Sequence, residues 1–248
     1  MKAIILAAGY ATRMYPLTED LPKALLRLGD KKVIDFIIEQ INTLPDVNEI
    51  IVITNSKFIR KFEEWQDEIQ ASSAIPINLM DDGSISVEDK IGAIGDIYFA
   101  LMLNNIDEDI VVIAGDNYMT YPLIDQYYFF KEKNADTICA CRLDDMEKLK
   151  QFAVAVLDDD GLVIDLVEKP ENPQSDVAVF ATYFYRADTL HLFDAYLMDD
   201  QPMDTPGSFP AWLYKRKDLY AYIMNGECYD IGTIREYDQV RKMLERGM

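Results

Sequence analysis

Apolar residues fall into two kinds of run along this 248-residue chain. Short continuous runs at 3–7, 49–54, 75–80 and 109–117 are rich in isoleucine and valine and read as strands covered on both faces. Between them, apolar positions recur every three or four residues. Ile34, Ile37, Ile38, Ile41 and Leu44 mark a helix over 32–44, and Phe58, Phe62, Trp65 and Ile69 mark another over 58–69. The glycine-punctuated stretch 91–103 predicts a third helix, closely packed on its neighbours. Strands and helices that alternate in this way predict a largely parallel sheet, whose ligands sit beyond the carboxyl ends of its strands.

The second half changes character. A strand at 135–142 and a short helical segment near 144–150 precede a hairpin, 152–157 and 162–168, turned by Asp158-Asp-Asp-Gly161. A loop at 170–176 leads to a strand at 179–185. Helices are expected at 188–198 and 209–215, and a strand at 219–224. The capping box Thr233-Ile-Arg-Glu236 opens a last helix with Tyr237, Val240 and Leu244 on its buried stripe. No linker, repeat or biased tract divides the chain, so 1–248 reads as a single α/β domain with a small β-rich lid.

Composition narrows the function classes. The net charge of −20 argues against nucleic-acid and anionic-membrane surfaces. No apolar run approaches the ~20 residues of a membrane span, and the one after Lys2 is too short for a secretory signal. Three cysteines make no disulfide framework. Cys139 and Cys141 share one strand face as core residues, and Cys228 stands alone. The single histidine, His191, reads as helical filler.

The first strand feeds directly into Ala8-Gly9-Tyr10-Ala11-Thr12-Arg13, and a second cation follows at Lys23. Small residues after a strand let backbone N–H groups approach an anion, while Arg13 offers a planar fork and Lys23 a point charge. The pattern is neither the dinucleotide fingerprint nor the P-loop. With Leu6, Gly9, Thr12, Arg13, Pro16, Leu17, Thr18, Pro22 and Lys23 in place, it resembles the signature loop of the sugar-1-phosphate nucleotidylyltransferases. It departs at Ala11, where that family normally carries glycine. If the position needs positive φ, Ala11 is strained by about 1 kcal/mol or more.

The resemblance extends down the chain. Asp116, closing the strand in Ala114-Gly-Asp-Asn117, matches the family's metal aspartate. Asp230, in Tyr229-Asp-Ile-Gly-Thr233, matches the second, with a small shift of the preceding aromatic. Val167-Glu-Lys-Pro170 matches a sugar-phosphate motif, with Val167 in place of an acid. The resemblance implies a Rossmann-like, mostly parallel mixed sheet flanked by helices. Residues 1–133 would mainly bind nucleotide and 134–248 mainly sugar phosphate. Nucleotide binding would fall to Leu6, Ala8, Gly9, Tyr10, Ala11, Thr12, Arg13, Asp82, Gly83, Gly92 and Asp116. Sugar-phosphate binding would fall to Lys23, Asn117, Glu168, Lys169 and Thr182. Arg13, Lys23, Asp116 and Lys169 would be catalytic, with Mg²⁺ on Asp116 and Asp230. The usual base-reading glutamine is absent from 81–92. The implied reaction joins an NTP to a sugar-1-phosphate, with glucose-1-phosphate and dTTP or UTP favoured, in the cytoplasm and with homo-oligomerisation left open. Rival readings are a cytidylyltransferase acting on a non-sugar phosphate such as phosphocholine, and a nucleotide-binding regulatory protein without turnover. A dehydrogenase fits poorly, lacking the third glycine and the acidic ribose partner.

Overall fold

The computed structural model describes residues 1–245. Its first half runs β1 (Lys2–Leu6), the signature loop, a small hairpin of β2 (Arg27–Leu28) and β3 (Lys31–Lys32), α1 (Val33–Ile41), β4 (Glu49–Thr54), α2 (Ile59–Ile69), β5 (Ile77–Asp81), α3 (Ala93–Leu103), β6 (Ile110–Ala114), β7 (Asn117–Met119) and α4 (Leu123–Lys133). Then come β8 (Asp136–Arg142), α5 (Met146–Leu149), β9 (Ala153–Leu157), β10 (Val163–Glu168), β11 (Val177–Tyr185), α6 (Leu192–Met198), α7 (Ser208–Leu213), β12 (Leu219–Ile223), β13 (Cys228–Asp230) and α8 (Ile234–Glu245).

A nine-stranded sheet carries both halves. β5, β4, β1 and β6 are parallel, in register through pairs such as Ile5 with Val52 and Ile5 with Ile113. Of these, β4, β1 and β6 are buried on both faces, as their unbroken apolar runs require, while β5 forms the half-exposed edge. β11 reverses direction, pairing antiparallel with β6 along Thr182–Tyr185 and with β9 along Val177–Val179. Its other edge pairs with β8, which pairs in turn with β12. A single bridge from Leu162 to Tyr220 brings the β9–β10 hairpin against β12. The expected lid is therefore the curled end of the main sheet.

The 109–117 run is not one strand. It breaks after Ala114 because Gly115 passes over β1, its N–H reaching the Leu6 carbonyl at 2.8 Å. A Cβ there would lie 2.9 Å from that same oxygen. The chain then resumes as β7, which pairs with β13 and sets Asn117 opposite Asp230.

Large apolar clusters fill the two faces of the sheet. Cys139, Cys141 and Cys228 all pack on the same cluster, so Cys228 is not isolated. Burial pushes the Cys139 thiol up to about 12, which suits a core residue. His191 precedes α6 on the surface. A third, smaller cluster matters more for the site. It joins Met14 of the signature loop to Leu28, Val33 and Tyr118 and to Ile231 and Val240 near the C-terminus, with Tyr237 and Leu244 packed alongside. Replacing fully buried Met14 by alanine should lower unfolding free energy by ~2–5 kcal/mol in urea titrations, while the same change at exposed Met198 should stay within about 0.5 kcal/mol.

Candidate active site

The signature loop leaves β1 under tight control. The Ala7 N–H donates to the Ile53 carbonyl at 2.8 Å, and Asn55 Nδ2 donates to the Ala8 carbonyl at 2.7 Å. Ala11 sits at φ 48°, ψ 41°, in the left-handed region anticipated for it. Its carbonyl accepts from the Met14 N–H at 2.9 Å and from Thr18 Oγ1 at 2.8 Å, so the strained residue is held from both sides. Met14 then anchors in the third cluster, and neighbouring Arg13 stays exposed.

Lys23 opens a 3-10 turn, Lys23–Leu25, and its ammonium forms a short ion pair with Asp116. Asp116 is 8% exposed. The Ile231 N–H donates to the Asp116 carbonyl at 3.1 Å, so the β7–β13 ladder delivers Asp230 beside Asp116. Burial opposes charge on Lys23, yet Asp116 and Asp230 outweigh it and raise the ammonium above its ordinary value. Burial likewise opposes charge on Asp116, yet Lys23 holds that carboxyl below the usual range. Asp230 faces the charge on Asp116, is further desolvated, and is pushed up to about 7. Two hard-oxygen donors crowded together with one compensating cation form a site short of positive charge.

Two cavities meet over this pair, sharing Arg13, Ala114, Asp116 and Pro206 in their walls. One, of about 330 Å³, is lined by Leu6 and the loop from Ala8 to Arg13, and includes Lys23, Asp82, Gly92 and Asp116. The other, of about 540 Å³, takes in Arg13, Asp116, Asn117, Glu168, Lys169 and Asp230. Residues more than two hundred positions apart thus face one mouth. Lys169 is a second left-handed residue, at φ 46°, its N–H donating to the Phe152 carbonyl at 3.1 Å. Its Nζ lies 3.6 Å from Glu168 Oε1.

Two expectations fail. Thr182 is fully buried with its carbonyl accepting from Gln126 Nε2 at 3.2 Å, and the cavity wall is made by Ala181 and Tyr183 on either side of it. Strand alternation turns its side chain away. Gly83 lines neither cavity; its φ of 82° serves the turn in which its N–H donates to Asp81 Oδ1 at 2.9 Å. Three participants lie outside the expected set. Gly207 lies against Glu168, and a Cβ there would collide with the Glu168 carboxylate. Asp96 and Lys90 line the smaller cavity. A glycine that clears space for a distant side chain leaves no local signal. Asp96 falls within 91–103, where the glycine-punctuated pattern predicts a closely packed helix and gives no sign of a site.

Comparison with known proteins settles the family. A family model described as Nucleotidyl transferase matches residues 2–247. The chain belongs to that family. It is 25% identical to a glucose-1-phosphate adenylyltransferase of Desulfitobacterium hafniense over 252 residues, covering 95% of this chain and 62% of that relative. It is 28% identical to a UTP–glucose-1-phosphate uridylyltransferase of Haloferax volcanii over 193 residues, covering 77% of this chain and 74% of the relative. Against the first of these, the chain spans less than two thirds of the relative's length. Its fold is that of a UDP-glucose pyrophosphorylase crystallised with UDP-glucose, at TM-score 0.82 and 20% identity, with 100% of this chain and 99% of the other aligned. A UTP-bound UGPase from Acinetobacter baumannii gives 0.79 at 17% identity, with 98% of this chain and 92% of the other aligned.

Ala11→Gly should stabilise the protein by about 0.5–1 kcal/mol in chemical unfolding: relief of a ~1–2 kcal/mol left-handed penalty is partly offset by the ~0.5–1 kcal/mol entropy glycine loses on folding. An unchanged or lowered midpoint would show that the surrounding hydrogen bonds already absorb the strain.

Proposed function

We propose that this protein transfers a nucleotidyl group from an NTP to a sugar-1-phosphate, releasing pyrophosphate, with glucose-1-phosphate as acceptor and UTP or dTTP as donor. The observation that carries the reading is the meeting of the two cavities over Asp116, Asp230, Arg13 and Lys23. One cavity suits a nucleotide lying along the signature loop; the other suits a phosphorylated polyol between Lys169, Glu168 and Asn117.

The chain's own groups supply positioning and charge. Arg13, exposed at the shared wall, grips the phosphates that depart as pyrophosphate. Lys23, expected on the sugar phosphate, lines the smaller cavity paired with Asp116 and faces the nucleotide side instead. Lys169, in the wall of the larger cavity, holds the attacking phosphate in line with the α-phosphorus. That phosphate is a nucleophile at neutral pH, so no general base is required, and the rate comes from orientation and charge neutralisation. Glu168, acceptor-only when ionised, accepts hydrogen bonds from sugar hydroxyls. Burial raises its pKa, with Lys169 opposing.

The donor set fits Mg²⁺. Asp116 and Asp230 provide two carboxylates, and among the described residues no group of three or more His, Cys, Asp or Glu surrounds a metal position. Magnesium characteristically takes one or two carboxylates and completes its shell with phosphate oxygens and water. Bound there, it would neutralise charge developing on the transferring phosphate.

A second reading, phosphocholine as acceptor, draws on the acceptor cavity's aromatic wall: Phe152, Phe180 and Tyr183 with Glu168 nearby. Aromatic faces beside a carboxylate also suit a quaternary ammonium. Pyrophosphate release over a matrix of NTPs and acceptors, with and without Mg²⁺, separates the two. Glucose-1-phosphate should be the better acceptor, and activity should vanish on chelation.

In the same assay Asp116→Ala and Asp230→Ala should each lower turnover at least about a hundredfold while the folded circular-dichroism spectrum persists. Wild-type turnover in both would remove the metal assignment. Lys169→Ala should raise the KM for the sugar phosphate about tenfold or more and leave the KM for NTP nearly unchanged; a shift confined to the NTP would reassign it.

A further inference from the structure

The acceptor cavity holds a cation that the chemistry above does not use. Among the described residues, three cations line it: Arg13, Lys150 and Lys169. Arg13 is shared with the nucleotide side, and Lys23, the other cation expected on the acceptor phosphate, lines the smaller cavity instead. Lys169 is then left to face a dianion in a wall that also carries the carboxyls of Asp116, Glu168, Asp230 and Glu236. Lys150 is the remaining source of positive charge there.

Its place is set by the backbone on either side. Asp145 caps α5, its Oδ1 accepting from the Glu147 N–H at 3.0 Å and the Lys148 N–H at 3.2 Å. Leu149 is fully buried, and the Phe152 N–H donates back to the Leu149 carbonyl at 3.1 Å. The Phe152 ring packs on Phe180 with centroids 4.8 Å apart. Lys150 is a link between those anchors. The Lys169 N–H on the Phe152 carbonyl and the pairing of Ala153 with Glu168 bring both lysines to the open end of the β9–β10 hairpin.

The Lys150 ammonium is paired with Glu147 Oε1 at 2.5 Å. Glu147 sits one turn earlier, outside the cavity wall, and its side chain is 81% exposed against 39% for Lys150. A pair at i,i+3 with one partner so wet is worth little and is readily exchanged. A phosphate at a cavity wall is the stronger partner, since it carries more charge and meets less water there. The flexible stem of lysine lets its ammonium turn from one anion to the other without moving the backbone. We propose that Lys150 is a second ammonium for the acceptor's phosphate, held aside by Glu147 and exchanged onto that phosphate when the acceptor binds. This rests on the transfer reading and adds to it a residue of the acceptor site and a carboxylate that competes for it.

Initial rates of pyrophosphate release test it, with UTP and glucose-1-phosphate varied in turn. Lys150→Ala should raise the KM for glucose-1-phosphate about five- to tenfold and leave that for UTP within about twofold. Lys150→Gln keeps a donor without the charge and should lose as much, while Lys150→Arg should stay within about threefold of wild type. Glu147→Gln should act in the opposite sense, lowering the KM for glucose-1-phosphate about two- to threefold, and should change nothing when added to Lys150→Ala. A merely structural role for α5 yields neither that gain nor its dependence on Lys150. Lys148→Ala, on the exposed side of the same helix, should match wild type. A wild-type KM in Lys150→Ala overturns the inference, and one in Lys150→Gln overturns it by pointing to a sugar hydroxyl instead. No gain in Glu147→Gln, or a gain that persists without Lys150, overturns the exchange. All of these leave the transfer reading standing, because the wild type still releases pyrophosphate. Absence of release by the wild type with either glucose-1-phosphate or phosphocholine would remove the functional reading, and this inference with it.

Discussion

Asp116 and Asp230 repel each other, and the structure around them exists to keep them adjacent. Neither could stay there on local preference alone. Asp116 is fixed because β6 must end where Gly115 slides across the Leu6 carbonyl, and Asp230 because β13 pairs in register with β7. The pairing in turn depends on the third apolar cluster, where Met14, Tyr118, Ile231 and Val240 bury one another. Apolar burial therefore sustains an unfavourable charge arrangement, with Lys23 relieving part of it. The remaining deficit of positive charge gives the site its attraction for a cation.

On the proposed function, a molecule with a net charge of −20 must attract anions against its own field. Much of that negative charge is engaged locally. Glu108 pairs with the N-terminus and Lys2, Asp46 with Lys131, and Asp136 with Lys217. Beyond about 10 Å, exposed charge is screened at ordinary salt, so the mouth responds to the few groups that line it. Arg13 and Lys169 stand there exposed and close to the low-dielectric cavity walls, where a cation interacts more strongly than in bulk water.

β1, β4 and β6 are legible because they are buried on both faces and so carry unbroken apolar runs. Long-range pairings are different. Nothing in Cys228-Tyr-Asp230 announces that it will lie against Asn117–Met119, since three-residue strands carry no periodicity. The signature loop, Asp116, Glu168, Lys169 and Asp230 are recognisable from motif chemistry, whereas the alternation of β11 puts Ala181 and Tyr183 rather than Thr182 on the cavity face, which no motif around Thr182 displays. Gly207 was silent for another reason. Its role is to be absent where the Glu168 carboxylate needs room, and its φ of −70° makes no special demand for glycine.

Ala11 and Lys169 share a property that their chemistry alone does not require. Both are left-handed non-glycine residues, and each lies beside or at a cation facing the mouth. A left-handed residue reverses the chain sharply, and one such turn can aim a side chain back across the strand that precedes it. At Lys169 the turn follows directly on the end of β10, where the residue lines the cavity while its N–H stays tied to the Phe152 carbonyl. At Ala11 it bends the loop so that Met14 goes down into the core and Arg13 stays at the cavity wall. Strain of about 1–2 kcal/mol at each is small against the burial that holds the loop and the strand in place. Folding stability elsewhere in the chain thus supports backbone geometry that local preference would refuse, and the two cations face one cavity as a result.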